Sequence, residues 1–342
     1  MNKDDSLALK GIAILMMLLL HLFFSILHGE FIFFITIGGE SFLQHFSGLC
    51  NPVPLFLMIS GYGLYSSFAQ KGQIKVGKRI LNLYIHLWII YLIFIPIGWH
   101  IKPSVYPGSL LSFIQNATSW KVTYNGEQWF FLPYIIILLT SSLIFKIADK
   151  TKPALLLGVT LLIYVTYCVL NKKLGGVWNY IGHGGYWVFS SLGFLFPFTI
   201  GICLKKYEWC EKYMNLIKKV NPYYKWISVG LLLALIIIRW FLNNYSLQVF
   251  AVAILFLLFP TFPIGKKVKV VLKYFGRHSM NIWLIHTYFC YYLFKDFIYG
   301  LKYPVLIFCV TLLLSLLSSI IVEFLYSHLK QGLQRVNINI GK

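Results

Sequence analysis

Leu7–Leu27 reads LALKGIAILMMLLLHLFFSIL, interrupted only by one lysine near its start and one histidine beyond its middle. A run of this length matches the roughly 20 apolar residues that an α-helix needs to cross the hydrocarbon core of a bilayer. It is too long for the apolar region of a signal peptide, and no small-x-small cleavage pattern follows Leu27, so it reads as a retained span. Working outward, comparable runs give ten spans in all: 7–27, 52–69, 80–98, 129–146, 154–170, 187–204, 226–242, 246–262, 279–297 and 303–325. The seventh and eighth are joined by a tight polar turn at Asn243-Asn244. No soluble module of useful length separates the runs. The fold class is therefore all-α, a polytopic membrane bundle of about ten transmembrane helices forming one domain over residues 1–342.

Composition agrees. Of the 342 residues 58% are hydrophobic and only 12% charged, against about 45–50% and about 25% in soluble globular chains. That balance excludes a soluble enzyme and a disordered chain.

The formal charge of +20 comes from 30 Lys and Arg against 10 Asp and Glu. With the N-terminus inside, 23 of those 30 fall on the cytoplasmic side, chiefly in the runs around Lys71–Arg79, Lys205–Lys225 and Lys266–Arg277. The positive-inside rule then puts both termini in the cytoplasm. The basic charge is a topology signal and gives no reason to invoke nucleic acid. Six cysteines, with no C-x-x-C spacing, indicate neither a disulfide framework nor a zinc site.

Ionisable groups at membrane depth are costly and are functional candidates by default. Lys10 and His21 are eleven residues apart, about 1,100° of rotation, so they share one helix face within roughly 20° and lie about 16 Å apart along its axis. One face thus carries a cation near the cytoplasmic mouth and an imidazole deep in the bilayer. His86 and His286 sit shallower, and His86 in particular reads as an interhelical hydrogen-bonding group. His21 and His28 also share a face, but no carboxylate or cysteine completes a metal set. Arg239 and Glu323, near the ends of their spans, are expected to snorkel toward water. Trp129 and several other tryptophans near span ends read as interfacial anchors. The outer segment 174–187, LGGVWNYIGHGGYW, reads as an interfacial loop anchored by Trp178, Tyr180, Tyr186 and Trp187; its flat rings would alternatively stack on a sugar.

Four stretches resemble one known family, in order. Lys10 to His21, KGIAILMMLLLH, is similar to the first-helix signature of acyltransferase family 3: Arg or Lys, ten residues, then His. Val53 to Tyr62 resembles the second-helix pattern ending in Ser-Gly-aromatic, here Ser60-Gly61-Tyr62. Gln128-Trp129-Phe-Phe-Leu132 resembles the Trp-Phe-Leu entry to a later helix. His278-Ser279-Met-Asn-Ile-Trp-Leu-Ile-His286 resembles the late segment that ends in histidine. The resemblance covers about Leu7 to Leu325, after which only a short basic tail follows, as in a stand-alone membrane member.

The resemblance implies transfer of an acyl group, usually acetyl from cytoplasmic acetyl-CoA, to a hydroxyl of a sugar or polysaccharide precursor at the bacterial inner membrane. Acetyl-CoA would be a substrate, with no permanently bound cofactor and no metal. His21 would be catalytic, Lys10 and Arg79 would face the coenzyme, with Lys75 and Lys78 completing a phosphate cradle, and Ser60, Tyr62, Trp129, Ser279 and His286 would support the site. The family's Arg-x-x-Arg is broken here, since Asn82 follows Arg79 at that spacing. The chemistry suits the residues, because a neutral imidazole can take the proton of a hydroxyl that is otherwise a poor nucleophile, or can carry the acyl group itself. The alternative is a transporter or flippase of a lipid-linked saccharide. Such proteins often show matching broken helices in two halves, and no such echo is evident here. A polysaccharide polymerase or ligase would call for a large basic external loop, whereas 99–128 offers only Lys102 and Lys121.

Overall fold

The computed structural model describes residues 1–25, 30–37, 40–176, 179, 183, 185–220, 222–242 and 244–340. In chain order the helices are α1 (Lys3–Phe23), α2 (Phe42–Gly48), α3 (Val53–Lys71), α4 (Val76–Ile101), α5 (Leu110–Ala117), α6 (Phe131–Lys150) and α7 (Pro153–Lys173). Then come α8 (Tyr186–Lys206), α9 (Trp209–Val220), α10 (Tyr224–Phe241), α11 (Gln248–Leu258), α12 (Lys266–Thr287), α13 (Lys295–Gly300) and α14 (Pro304–Ile340). One antiparallel pair of two-residue strands, Thr36–Ile37 with Glu40–Ser41, is the sheet content among the described residues. The chain is an all-α polytopic bundle.

Among the described residues, eight helical stretches are long and apolar enough to cross a membrane: α1, α2 with α3, α4, the turn at Gly126 with α6, α7, α8, α10 and the first part of α14. The other two of the ten expected spans take a different form. The eighth is a shorter helix, Tyr245–Thr261, with 3-10 turns at both ends. The ninth is not one run over 279–297. Its helix, α12, starts at Lys266 with a basic half, becomes apolar after Arg277, and passes at Tyr288–Tyr292 into a π-helical turn before α13 begins at Lys295. The lysines at its start explain why hydropathy alone misplaces its ends.

Local signals set several boundaries. Asn2 caps α1 by accepting from the Asp5 N–H at 2.8 Å, while the Asp5 carboxylate accepts from the Asn2 N–H at 3.1 Å, a reciprocal capping box. Gly72, at φ +67°, closes α3 in the left-handed conformation that a Cβ disfavours.

Two glycine-mediated crossings build the centre. α1 meets α12 where a Cβ on Gly276 would stand 1.9 Å from the Leu7 carbonyl oxygen, and one on Gly11 2.0 Å from that of Leu272. α3 meets α8 in the same way through Gly61 and Gly201. Small residues let helix backbones approach closely where lipid offers no hydrophobic driving force. At the lysine-rich end of α12, Lys273 pairs with Asp4 and Lys269 with Asp5, both at 2.5 Å. Gly276→Ala is expected to destabilise the bundle by at least the roughly 1–3 kcal/mol of ordinary overpacking. Thermal unfolding in detergent would read it, with Gly230→Ala, which meets no atom within 4 Å, as the neutral control; equal melting of the two variants would contradict the crossing.

Two polar residues expected to snorkel have partners within the protein. Arg239 is buried, and its guanidinium donates to the carbonyls of Leu242 at 2.7 Å and Asn244 at 2.9 Å, tying the end of α10 to the following turn. The Glu323 carboxylate, still 42% exposed, accepts from Asn281 Nδ2 at 2.9 Å and stands 3.3 Å from His86 Nε2. Arg239 is held at the end of its own helix and Glu323 by two neighbouring helices. His86 also donates through Nδ1 to the Asn82 carbonyl at 2.7 Å, and Tyr326 donates to the Asn82 side chain at 3.0 Å, so α4, α12 and α14 are linked around Glu323.

Candidate functional site

A cavity of about 1480 Å³ runs through the bundle, with Lys10, Met17 and His21 of α1 along one wall. The eleven-residue spacing therefore does put cation and imidazole on one lined face. Ser60 of α3, Arg79 of α4, Trp129, Tyr134 of α6 and Ser279 of α12 line it as well, as do Asn51, Asn171, Lys172, Asn244, Tyr245 and Ser246.

His21 is held from two sides. Its Nδ1 lies 3.3 Å from the Glu127 carboxylate, which is buried. A carboxylate only accepts, so the tautomer that suits this pair has its proton on Nδ1 and leaves Nε2 able to accept one. The Tyr291 hydroxyl donates to the His21 carbonyl and stands 3.3 Å from Nδ1. Tyr291 comes from the π-helical turn, whose wider winding aims Tyr291 at His21 while the adjacent Tyr292 accepts from the Gly126 N–H at 2.8 Å. Such π turns recur at functional sites.

His286 packs edge-on against His21 with ring centroids 5.1 Å apart. Its Nδ1 donates to the Trp283 carbonyl at 2.8 Å, which leaves Nε2 buried and without a partner among the described residues. His286 thus lies behind His21 rather than on the cavity wall. Ser60 and Tyr134 join hydroxyls at 2.7 Å on that wall, and the Ser279 hydroxyl is turned back to the Gly276 carbonyl at 3.0 Å. Trp129, expected at the interface, instead lines the cavity and packs on Phe194. Tyr62 is apart from the cavity: it donates to the Met1 carbonyl at 3.2 Å and packs on Phe256.

Arg79 belongs to two spaces at once. Besides the main cavity it lines a crevice of about 350 Å³ with Ser67, Lys71, Lys75, Lys78 and Asn82. Lys75 and Lys78 are therefore beside Arg79 but outside the space that holds His21. Beyond the bundle, the carboxyl of Glu211 in α9 is pushed up by burial, yet pairing with the Met1 α-ammonium outweighs that and holds it below its ordinary value.

A family profile for an acyltransferase domain matches residues 7–324. The chain belongs to acyltransferase family 3. No curated protein and no solved structure matches it. Membership makes this a membrane acyltransferase, with an acyl donor and an acceptor to accommodate.

Reading the sequence missed two contributors to the acyltransferase cavity. Glu127 directly precedes the quoted Gln128-Trp129 motif and is the lone carboxylate between Trp99 and Gln128, a signal that was available. Tyr291 was hidden, because the π turn breaks the helical period by which its face would be assigned. His28, Trp178 and Tyr180 lie outside the described residues; of the segment 174–187, Tyr186 is buried and donates to the Ser119 carbonyl at 3.1 Å. Among the described residues no group of three His, Cys, Asp or Glu could hold a metal ion.

Proposed function

We propose that the protein moves an acetyl group from cytoplasmic acetyl-CoA to a hydroxyl of a sugar or polysaccharide precursor, as a multi-pass protein of a bacterial inner membrane with both termini inside. The observation that carries this reading is the sharing of one cavity by two cations, Lys10 and Arg79, and by the paired His21 and Glu127. Coenzyme A is anionic at one end and carries its thioester at the other, on a long flexible arm. A site for it needs cations at the mouth and a base some way in. The crevice at Lys75 and Lys78 adds positive charge beside Arg79, and Arg79 can hold phosphate bidentately where a lysine acts as a point charge.

In this reaction His21 Nε2 takes the proton of the acceptor hydroxyl as its oxygen attacks the thioester carbon. The tetrahedral intermediate then expels the CoA sulfur, and the proton on His21 passes to the departing thiolate, giving ester and free CoA. Glu127 stabilises the imidazolium through Nδ1–H, and Tyr291 fixes the ring's backbone. The wall at Asn51, Asn171 and Asn244 offers amide groups that suit a polyhydroxyl acceptor.

The test is the alkali-labile acetyl content of surface and secreted glycans from cells with and without the protein, together with incorporation of labelled acetyl from acetyl-CoA by inverted membrane vesicles. Ester acetyl at least tenfold higher with the protein is expected. Equal acetyl in both glycan pools with silent vesicles would overturn the acetyl-to-glycan reading and direct the search to another acyl group or acceptor.

A further inference from the structure

Glu127 sits on a short 3-10 turn, Gly126–Phe130, and not on a membrane-crossing helix, so its placement against His21 depends on what holds that turn. Asn125 caps it and is buried, 1% exposed. The Asn125 Oδ1 accepts from the Glu127 N–H at 3.1 Å and from the Thr287 hydroxyl at 2.9 Å, while Nδ2 donates to the Leu284 carbonyl at 2.8 Å. Both ends of the side-chain amide are therefore used. Trp283 Nε1 donates to the Glu127 carbonyl at 3.1 Å. The backbone N–H and C=O of the catalytic candidate are both tied, one to Asn125 and the other to α12.

The anchor points on α12 matter. Leu284 and Thr287 flank His286, and Thr287 immediately precedes the π turn that brings Tyr291 to His21. One short stretch of α12 and its π turn thus sets both groups that touch the His21 Nδ1 side. We propose that Asn125 is a positioning residue for acyl transfer, holding the Glu127 carboxylate against His21 by locking the Gly126–Phe130 turn to α12. The proposal rests on the reading of His21 as base and Glu127 as its partner. A displacement of about 1 Å in such a pair can cost on the order of 10²-fold. Asparagine is the residue the geometry calls for. Aspartate would keep both accepted bonds but could not donate to the Leu284 carbonyl, and alanine would leave three buried polar groups unpaired.

The experiment is a double-mutant cycle in the full-length protein in membrane vesicles, with acetyl-CoA as donor, following CoA thiol release and ester formation per mole of correctly folded protein. Asn125→Ala is expected to lower kcat about 10–100-fold while KM for acetyl-CoA stays within about twofold. Glu127→Gln lowers kcat as well, and the double variant is expected to be no slower than Glu127→Gln alone, because Asn125 acts through that carboxylate. Thr287→Val, which removes one bond, falls between wild type and Asn125→Ala and covers the case in which alanine fails to fold, while Asn125→Asp, which sets a second buried carboxylate against the Leu284 carbonyl, is expected to be no faster than alanine. A reading free of donor and acceptor comes from carbethoxylation of His21 at fixed pH, followed by peptide mass. A carboxylate on Nδ1–H makes the other nitrogen more nucleophilic, so both single substitutions slow the reaction by the same direction and do not compound. Full-rate Asn125→Ala, or an Asn125 effect that multiplies unchanged onto Glu127→Gln, would overturn the proposal. A Glu127→Gln variant that matches wild type in both assays would instead sink the His21–Glu127 pairing itself, and the clamp with it.

Discussion

Replacing His21 by alanine is expected to cut acyl transfer by about 10²–10⁴-fold, the usual contribution of a positioned general base. The protein should still insert and fold. An alanine in α1 costs the bilayer nothing, and the helix is held by the glycine crossing with α12 and by the ion pairs of Asp4 and Asp5, none of which involves the imidazole. The loss should appear in kcat, since on the proposed reading the imidazole meets the reacting atoms and not the coenzyme phosphates. Steady-state transfer from acetyl-CoA, normalised to inserted protein, measures it. Near-normal transfer by His21→Ala would remove His21 from the chemistry, and His286, whose Nε2 lies buried beside it without a partner among the described residues, would become the next candidate base.

The second large effect concerns the donor. Lys10 and Arg79 line the cavity that contains His21, and Arg79 also reaches the basic crevice with Lys75 and Lys78. If these cations hold the donor's phosphates as proposed, neutralising both, Lys10→Gln with Arg79→Gln, would remove two charge-assisted contacts of about 1.5–3 kcal/mol each, which predicts a rise in KM for acetyl-CoA on the order of 10²-fold or more. KM for the acceptor should move far less. The defect should shrink for a donor truncated to acetyl-pantetheine, which has no phosphates to lose contacts with. Lys75→Gln and Lys78→Gln, placed in the crevice alone, are expected to act weakly. Wild-type acetyl-CoA affinity in the double variant would refute the cationic cradle.

Where the Arg-x-x-Arg spacing would put a second arginine, this chain has Asn82, whose side chain accepts from Tyr326 at 3.0 Å. That position is spent on joining α4 to α14, next to the His86–Glu323 pair. Positive charge beside Arg79 then comes from Lys71 at the end of α3, Lys75 at the cap of α4 and Lys78 in its first turn.

The sequence by itself determined the membrane class, most of the spans and the shared face of Lys10 and His21. These follow from quantities local to a few helical turns: the length of an apolar run, the side on which lysines collect, and the 100° step between residues. It could not determine what any polar group would meet. Arg239 and Glu323 read as interfacial because isolated long side chains reach for water, yet Arg239 folds back on carbonyls three and five residues along its own chain, and Glu323 meets Asn281 and His86, partners that only packing supplies. Glu127 and Tyr291 reach His21 from segments 106 and 270 positions along the chain, the first through a 3-10 turn clamped to α12 and the second through a π turn that no regular period predicts. Local pattern fixes which residues lie on a helix face. Only the tertiary structure, by closing the α1–α12 crossing at two glycines, decides which faces meet and so which side chain becomes the neighbour of the histidine.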